Sequence, residues 1–266
     1  MLKRVITALI LLIPVIAAII YLPPSLFVLL SGLILLYGGW EWTNLVNIRN
    51  TWGKIFFLLF LIIIFLIFGL LRYHLALYIG IMGWIIVAKT LLTLTYNPKN
   101  LKNTFLASKW AAIFVFAPCW IGLNLLKAHG GSEWVLAGLI IVWITDTAAY
   151  FTGKYFGKRP LAIHISPNKT IEGVIGGLIA SAIVGLCAAF YLQLQGMQIP
   201  LFILLCLITA SATVVGDLYE SFLKRISDLK DSGRLLPGHG GLLDRIDGML
   251  AAIPFFTLGV ILFRMI

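Results

Sequence analysis

The chain has 266 residues, of which 61% are apolar and 11% are charged, and its formal net charge is +10. Soluble domains carry about 25% charged residues, so this composition excludes an ordinary soluble domain. The apolar runs are continuous and about 20 residues long, which is the length of a membrane-spanning helix, whereas a membrane barrel would alternate over segments of about 10 residues. The positive charge therefore indicates membrane topology, anionic lipid or nucleotide, and not nucleic acid.

We predict an all-α, polytopic integral membrane protein with about nine transmembrane helices. The predicted spans are 5–22, 26–42, 55–71, 75–96, 110–126, 134–152, 173–192, 200–219 and 248–263. With the N-terminus in the cytoplasm and the C-terminus outside, only Arg72, Lys127 and Arg264 lie outside, and Lys89 lies within a span. The other sixteen of the twenty Lys and Arg residues are then cytoplasmic, as the positive-inside rule requires.

Acidic residues divide this single membrane-embedded unit into two halves. Glu41 and Glu133 are the only acids before residue 140, and eight follow from Asp146 onward. We interpret residues 1–133, about five spans, as a scaffold. Residues 134–266, about four spans, are predicted to be the catalytic half, with cytoplasmic loops 153–172 and 220–247. Asp146 lies within a span, where a carboxylate is a functional candidate by default.

The stretch 221–247 carries the densest charge in the chain. If the eighth span continues through it as one helix, four polar residues fall within about 40° of Asp217. These residues are Ser221, Lys224, Asp228 and Asp231. The pattern predicts a polar stripe running from the membrane into the cytoplasm. The alternative is an amphipathic helix with a solvated face, which leaves unexplained why the stripe begins at Asp217, inside a span.

A glycine-rich loop, 237–241, follows the stripe and can present backbone N–H groups to phosphate, although a plain turn has the same composition. His239 in this loop suits a hydrogen-bonding residue, a general acid or a phosphate contact. Asp244 and Asp247 are three residues apart, on one helix face. With Asp217 they suit Mg²⁺, which takes oxygen ligands. The alternative is that they stabilise a helix N-terminus.

The second cytoplasmic loop, 153–172, is basic and punctuated by glycines, and it also precedes a helix. It suits a phosphate-rich ligand, and Asn168, Lys169, Thr170 and Glu172 are its candidate residues. Positive-inside charge alone is the alternative explanation. Asn168 or Thr170 can equally serve as the cap of the seventh helix.

These residues resemble the phosphatidate cytidylyltransferase (CDP-diacylglycerol synthase) family. The resemblance lies in Ser221-x-x-Lys224-Arg225, Lys230-Asp231-Ser232-Gly233, Leu236-Pro237-Gly238-His239-Gly240-Gly241 and Asp244-Arg245-Ile246-Asp247. It extends to Asp146-x-x-Ala149-Tyr150-Phe151-x-Gly153 and to residues 165–173, ISPNKTIEG. The detailed likeness covers roughly residues 146–247, and the first half matches only as a run of hydrophobic spans.

The resemblance implies a Mg²⁺-dependent nucleotidyltransferase in which CTP and phosphatidic acid give CDP-diacylglycerol and pyrophosphate at the cytoplasmic face of a bacterial inner membrane. The implied catalytic residues are Asp217, Ser221, Lys224, Arg225, Asp231, His239, Asp244 and Asp247, with Asp217, Asp244 and Asp247 as metal ligands. The implied substrate-binding residues are Asp146, Asn168, Lys169, Thr170, Glu172, Lys230, Gly240, Gly241 and Arg245. The resemblance leaves open whether a second metal ion binds and whether the protein forms a homodimer.

Three alternatives compete with this interpretation. A cytidylyltransferase or CTP-dependent kinase for another membrane lipid would use the same chemistry. A transporter would use Asp146 and Asp217 as coupling-ion sites and predicts inverted repeats and midplane charges, whereas no repeat is visible and the charges crowd one face. A purely structural membrane protein leaves the polar stretch 221–247 unexplained.

Overall fold

The structure, a computed structural model, describes residues 2–70, 73–96, 105–233, 235 and 240–266. The chain is 82% helical, and the described residues form nine α-helices and one small hairpin. The helices are α1 Leu2–Tyr21, α2 Pro24–Leu45, α3 Thr51–Leu70, α4 Tyr73–Tyr96, α5 Ala112–Leu125, α6 Gly131–Phe156, α7 Ile171–Tyr191, α8 Gln198–Ile226 and α9 Leu243–Leu262.

Seven helical segments of the described chain are long and apolar enough to cross a membrane. One of them, Lys109–Phe156, has 48 residues and contains both α5 and α6. As a straight helix it would be about 72 Å long, whereas the hydrocarbon core is about 30 Å thick. The prediction of an all-α polytopic membrane protein is confirmed, and the count of nine spans stays a prediction.

The chain reverses between α5 and α6. Gly131, the first residue of α6, has a φ of +78°, which interrupts the helical path. Gly122 of α5 and Gly138 of α6 both pack against Ile253 of α9. A continuous helix would hold these two glycines about 24 Å apart. Helices α5 and α6 are therefore two separate helices that run in opposite directions along α9.

Helix α9 lies at the centre of the bundle, where α2, α4, α5, α6 and α8 all pack on it. Ile253 and Phe256 are fully buried, and Phe256 makes an edge-to-face contact with Phe202 of α8 at 6.0 Å between ring centroids. Helix α2 joins this core through Trp42, whose ring lies 5.6 Å from that of Phe116. Through α2, α4 and α5, the N-terminal half packs directly against α9, the helix that carries the last two acids.

Residues 160–170, which the sequence analysis assigned to a loop, form an antiparallel hairpin. Its strands are β1 Pro160–Ala162 and β2 Ser166–Thr170. Thr170 caps α7, because its Oγ1 accepts a hydrogen bond from the Gly173 amide at 3.1 Å. Gly173 and Gly177 pack against the backbone of α6 at Ala149 and Thr145. The glycines at the start of α7 are therefore used for packing inside the chain.

Helix α8 ends at Ile226, so the prediction that one helix carries the polar stripe to Asp231 is wrong. The end is a Schellman motif, in which the Asp228 amide bonds Arg225 O and the Leu229 amide bonds Lys224 O. Asp228 takes the left-handed conformation this motif needs, with a φ of +54°. Lys224 stays on the helix with Asp217 and Ser221, whereas Asp228 and Asp231 lie in the following loop.

The polar residues gather at one end of the bundle. The C-terminal ends of α2 and α8 meet the N-terminal end of α9 there, because Ser227 donates to Leu45 O and Glu41 accepts from the Leu243 amide. The β1–β2 hairpin joins the same end, since Arg225 Nε donates to Ile165 O at 3.2 Å. We call this the motif end.

Candidate functional site

Three carboxylates from three helices face one another at the motif end. Asp146 comes from α6, Asp217 from α8 and Asp247 from α9, and their charges interact with one another. Lys169 of β2 forms an ion pair with Asp217 Oδ2 and also interacts with the charges of Asp146 and Asp247. We call these four residues the carboxylate cluster. Like charges that interact with one another repel, so the cluster favours an added cation.

Close helix packing creates this cluster. Gly216 of α8 lies against the backbone carbonyl of Asp247, and a side chain there would collide with α9. Gly248 of α9 lies against Thr213 of α8, and a Cβ at that position would sit 3.7 Å from Asp146 Oδ2. The two glycines therefore let α8 and α9 approach until their carboxylates converge on the one from α6.

Asp244, the other predicted metal ligand, has a different environment. Its Oδ1 accepts from Lys224 Nζ at 2.7 Å. Its Oδ2 accepts from Ser232 N at 3.0 Å, Ser232 Oγ at 2.9 Å and Gly241 N at 2.8 Å. Lys224 is shared with Glu220, at 2.5 Å from Oε2. The Asp244 carboxylate is thus saturated by protein donors and holds the loop after α8 in place.

Glu41 of α2 completes this second group. Its Oε2 accepts from the Leu243 amide at 2.7 Å and from Ser232 Oγ at 3.2 Å. We call Glu41, Glu220, Lys224, Ser232 and Asp244 the Asp244 network. Glu220 also interacts with the charge of Asp247 and so connects the network to the carboxylate cluster. Together the two groups contain six carboxylates and two lysine ammonium groups, an excess of negative charge suited to a bound cation.

Glu41, Glu220 and Ser232 were not among the predicted site residues. Glu41 and Glu220 are only 2% and 3% exposed. The rule that singled out Asp146, a carboxylate inside a span, applies to Glu41 in the predicted span 26–42, whereas Glu220 lies just after the predicted span 200–219. Ser232 stood inside the recognised motif but was given no contact. The position of Ser232 in that motif could have identified it as a site residue. The contacts of the two glutamates are evident only in the three-dimensional structure.

Two predicted residues hold the hairpin. Glu172 Oε2 accepts from the amides of Lys158 and Arg159 at 3.0 and 3.1 Å, and its Oε1 pairs with Arg159 Nε at 2.9 Å. Arg225 reaches the hairpin turn at Ile165 through Nε. These contacts give Glu172 a structural role at the start of α7, whereas the rest of the Arg225 guanidinium stays exposed at the rim of the site.

The remaining predicted residues surround the two groups. Asn168, Lys230, Asp231 and Arg245 are exposed, and Ser221 is half-buried on α8. Gly240 has a φ of +81°, and a Cβ there would come within 2.7 Å of Asp244 Oδ2, so glycine is required. His239 lies outside the described residues, and the prediction for it is unchanged.

The three carboxylates of the carboxylate cluster carry oxygen atoms, which are the ligands that Mg²⁺ takes. Asp217 and Asp247, two of the predicted ligands, belong to this cluster together with Asp146. Asp244 would have to give up Lys224 or Ser232 to join them. Within the described chain, no group of three or more His, Cys, Asp or Glu side chains is already arranged as a set of metal ligands.

The fold and site define a polytopic helical membrane protein with converging acidic and basic side chains at one end of its bundle. The sequence model of the Cytidylyltransferase family matches residues 2–263. This chain belongs to that family.

Curated relatives span the same length. The chain is 38% identical over 266 residues to a protein named phosphatidate cytidylyltransferase from Pseudomonas aeruginosa, covering 96% of this chain and 95% of that protein. It is 36% identical over 280 residues to one of the same name from Haemophilus influenzae, covering 96% of both. A third, from Staphylococcus haemolyticus, is 38% identical over 177 residues, which cover 65% of this chain and 67% of that protein.

Proposed function

We propose that this protein is a phosphatidate cytidylyltransferase that converts CTP and phosphatidic acid to CDP-diacylglycerol and pyrophosphate. The observation that carries the proposal is the 36–38% identity, over 96% of the chain, to two relatives of that name. The site agrees with it, because acidic and basic groups meet where a membrane lipid and a soluble nucleotide can both reach.

The reaction needs no nucleophile from the protein. A phosphate oxygen of the lipid forms a bond to the α-phosphorus of CTP, and the bond from that phosphorus to the β-phosphate oxygen breaks, so that pyrophosphate leaves with the electron pair. Phosphoryl transfers of this kind are catalysed by positioning and charge neutralisation. The site must therefore hold two anionic substrates in line and offset their charge.

We assign Mg²⁺ to the carboxylate cluster, with Asp217 and Asp247 as ligands and Asp146 beside them. Bound there, it would supply positive charge to the reacting phosphates. Lys169 is positioned to exchange its ion pair with Asp217 for a phosphate oxygen. Lys224, paired with Glu220 and Asp244, orients the site and contributes little free charge.

The cationic rim would receive the triphosphate. Arg225 presents the outer part of its guanidinium, since only Nε is used by the hairpin, and Lys230 has an exposed side chain on the same loop. Arginine matches phosphate oxygens in a two-pronged geometry that lysine lacks. We therefore assign these residues to CTP and to the leaving pyrophosphate.

Helices α4, α7, α8 and α9 line an apolar cavity of about 370 Å³. Val215 and Ala251 line it, and they lie two residues before Asp217 on α8 and one helical turn after Asp247 on α9. Trp84, Leu207 and Phe255 form much of the rest. A cavity of this composition suits an acyl chain whose phosphate reaches the carboxylates.

We further propose nine spans, a cytoplasmic N-terminus and a site facing the cytoplasm from a bacterial inner membrane. The charge asymmetry of the loops supports this arrangement. The ends of α2, α6 and α8 meet the starts of α7 and α9 at the motif end, as helices that cross alternately require. The relatives are bacterial proteins.

The test is pyrophosphate release by purified, detergent-solubilised protein. The assay contains CTP, Mg²⁺ and phosphatidic acid in mixed micelles, with controls that omit each component or replace CTP with ATP. We expect release only with all three, and CDP-diacylglycerol in the lipid extract. A folded preparation that is inactive with phosphatidic acid but active with another lipid phosphate would replace this substrate assignment.

A further inference from the structure

Glu41 is an acid of the first half that lies at the heart of the motif end. Its side chain is 2% exposed, and no ion pair to it is found among the described residues. Burying a carboxylate in this way costs several kcal/mol unless hydrogen bonds compensate. The Leu243 amide donates to Oε2, and the Ser232 hydroxyl also lies within hydrogen-bond distance of Oε2, although its single hydrogen is shared with Asp244.

The contact with Leu243 makes Glu41 a cap for α9. Leu243 is the first residue of that helix, and Leu242 before it has no side chain that can cap the exposed amides. A carboxylate satisfies these amides and interacts favourably with the positive end of the helix dipole. Helix α9 therefore receives its N-terminal cap from α2, about 200 residues earlier in the chain.

The contact with Ser232 extends this anchor to Asp244. The Ser232 hydroxyl lies 3.2 Å from Glu41 Oε2 and 2.9 Å from Asp244 Oδ2, so it bridges the two carboxylates. Asn44, one turn further along α2, donates from Nδ2 to Ser232 O at 3.4 Å. The end of α2 thus fixes both the loop and the first turn of α9.

The backbone is wrapped closely around the Glu41 carboxylate. A Cβ on Gly241 would lie 2.5 Å from Oε2, and one on Gly233 would lie 2.6 Å from the carboxyl carbon. Two glycines of the recognised motif are therefore shaped around a residue from outside it. Among the described residues, Oε1 has no hydrogen-bond partner.

We propose that Glu41 is a positioning residue for the cytidylyl transfer: by capping α9 and holding Ser232, it sets the placement of Asp244 and, one turn later, of Asp247. The inference rests on the proposed function. It assigns to the first half of the chain a direct part in building the site, where the sequence indicated only a scaffold.

The test separates the effect of the length of the Glu41 side chain from the effect of its charge. Glu41→Gln keeps the length of the side chain and an acceptor oxygen but removes the charge, whereas Glu41→Asp keeps the charge and withdraws it by one methylene, about 1.5 Å. We expect Glu41→Gln to keep at least about half of the parental kcat and Glu41→Asp to lose about tenfold or more. KM for phosphatidic acid should stay within about twofold in both variants.

Ser31→Ala is the matched control, because Ser31 is a buried polar residue of the same helix that contacts Asn124 of α5, away from the motif end. It should leave kcat unchanged. Hydrogen exchange at the Leu243 amide provides a readout apart from activity, and it should accelerate in Glu41→Asp but not in Ser31→Ala.

Parental turnover in Glu41→Asp, or a loss in Glu41→Gln as large as in Glu41→Asp with both variants folded, would overturn the proposal. A parent protein that does not release pyrophosphate would refute the proposed function instead, and the exchange of the Leu243 amide would still test the cap.

Discussion

The carboxylate cluster and the Asp244 network lie side by side and are built in opposite ways. In the network, Asp244 accepts from Lys224, Ser232 and Gly241, so the protein itself satisfies the charge. In the cluster, three carboxylates share one lysine. The network therefore holds the protein together, whereas the cluster is suited to hold a bound cation. A cluster of like charges destabilises the fold, and such clusters are common at functional sites.

The largest expected effect lies in the cluster. Asp247→Asn keeps the size of the side chain and the Oδ1 that accepts from the Gly248 amide, but it removes one of three mutually repelling charges. We expect activity to fall about 10³-fold, about 4 kcal/mol of transition-state stabilisation. The melting temperature in detergent should stay equal or rise. A large fall in melting temperature would contradict the comparison.

Asp244→Asn should reduce activity almost as far, and it should also destabilise the fold. It leaves the partly buried Lys224 with Glu220 alone and disturbs the bonds from Ser232, which we expect to cost about 3 kcal/mol. The melting temperature should fall by about 5 °C or more. If thermal unfolding is unchanged in Asp244→Asn while activity is lost, Asp244 belongs with the cluster as a ligand.

Gly240→Ala should have an intermediate effect on activity. The residue holds a φ of +81° beside Asp244 Oδ2, and an alanine in this conformation costs about 1–2 kcal/mol. We expect about a tenfold loss of kcat, since 1.36 kcal/mol corresponds to a factor of ten, with the Mg²⁺ dependence unchanged. Gly196, with a φ of +53° and open space around it, supplies the control: Gly196→Ala should strain the backbone equally and leave kcat unaltered.

Glu172→Gln should have the smallest effect, because the contacts of Glu172 lie with the hairpin and not with either acidic group. The variant loses the exposed ion pair to Arg159, and such pairs contribute little. We expect kcat to fall by about threefold at most. The measurement is kcat of Glu172→Gln in parallel with kcat of Arg159→Ala, which removes the other partner of the same ion pair. A loss comparable to that in Asp247→Asn would restore Glu172 to the substrate-binding residues.

The sequence predicted most of the fold for a simple reason. Continuous apolar runs of helical length have few alternatives in lipid, and each of the nine predicted spans coincides with one of the helices α1 to α9. Local sequence patterns did not predict features that depend on contacts between residues far apart in the chain. Helix α8 ends at Ile226 in a Schellman motif and not at Asp231, and the Ser227 hydroxyl bonds Leu45 O of α2 there, a contact that no periodicity in 217–231 encodes.

The candidate site was predicted in composition and only partly in arrangement. Helical spacing placed Asp244 and Asp247 on one face, yet their partners differ, because Ser232 and Gly241 fold back over the first residue and leave the second facing Asp217. The pairing of Lys169 with Asp217 joins a strand to a helix 48 residues later. Spacing along one element cannot specify a contact between two elements.

The bonds that Glu41 receives also constrain how the molecule is made. They join residues 191 and 202 positions apart, so the second helix inserts into the bilayer long before its partners are synthesised. Until α9 emerges, a carboxylate near the membrane edge has neither of its donors. The motif end is therefore completed last. During biogenesis the earlier helices must tolerate a Glu41 carboxylate without its hydrogen-bond donors until α9 inserts.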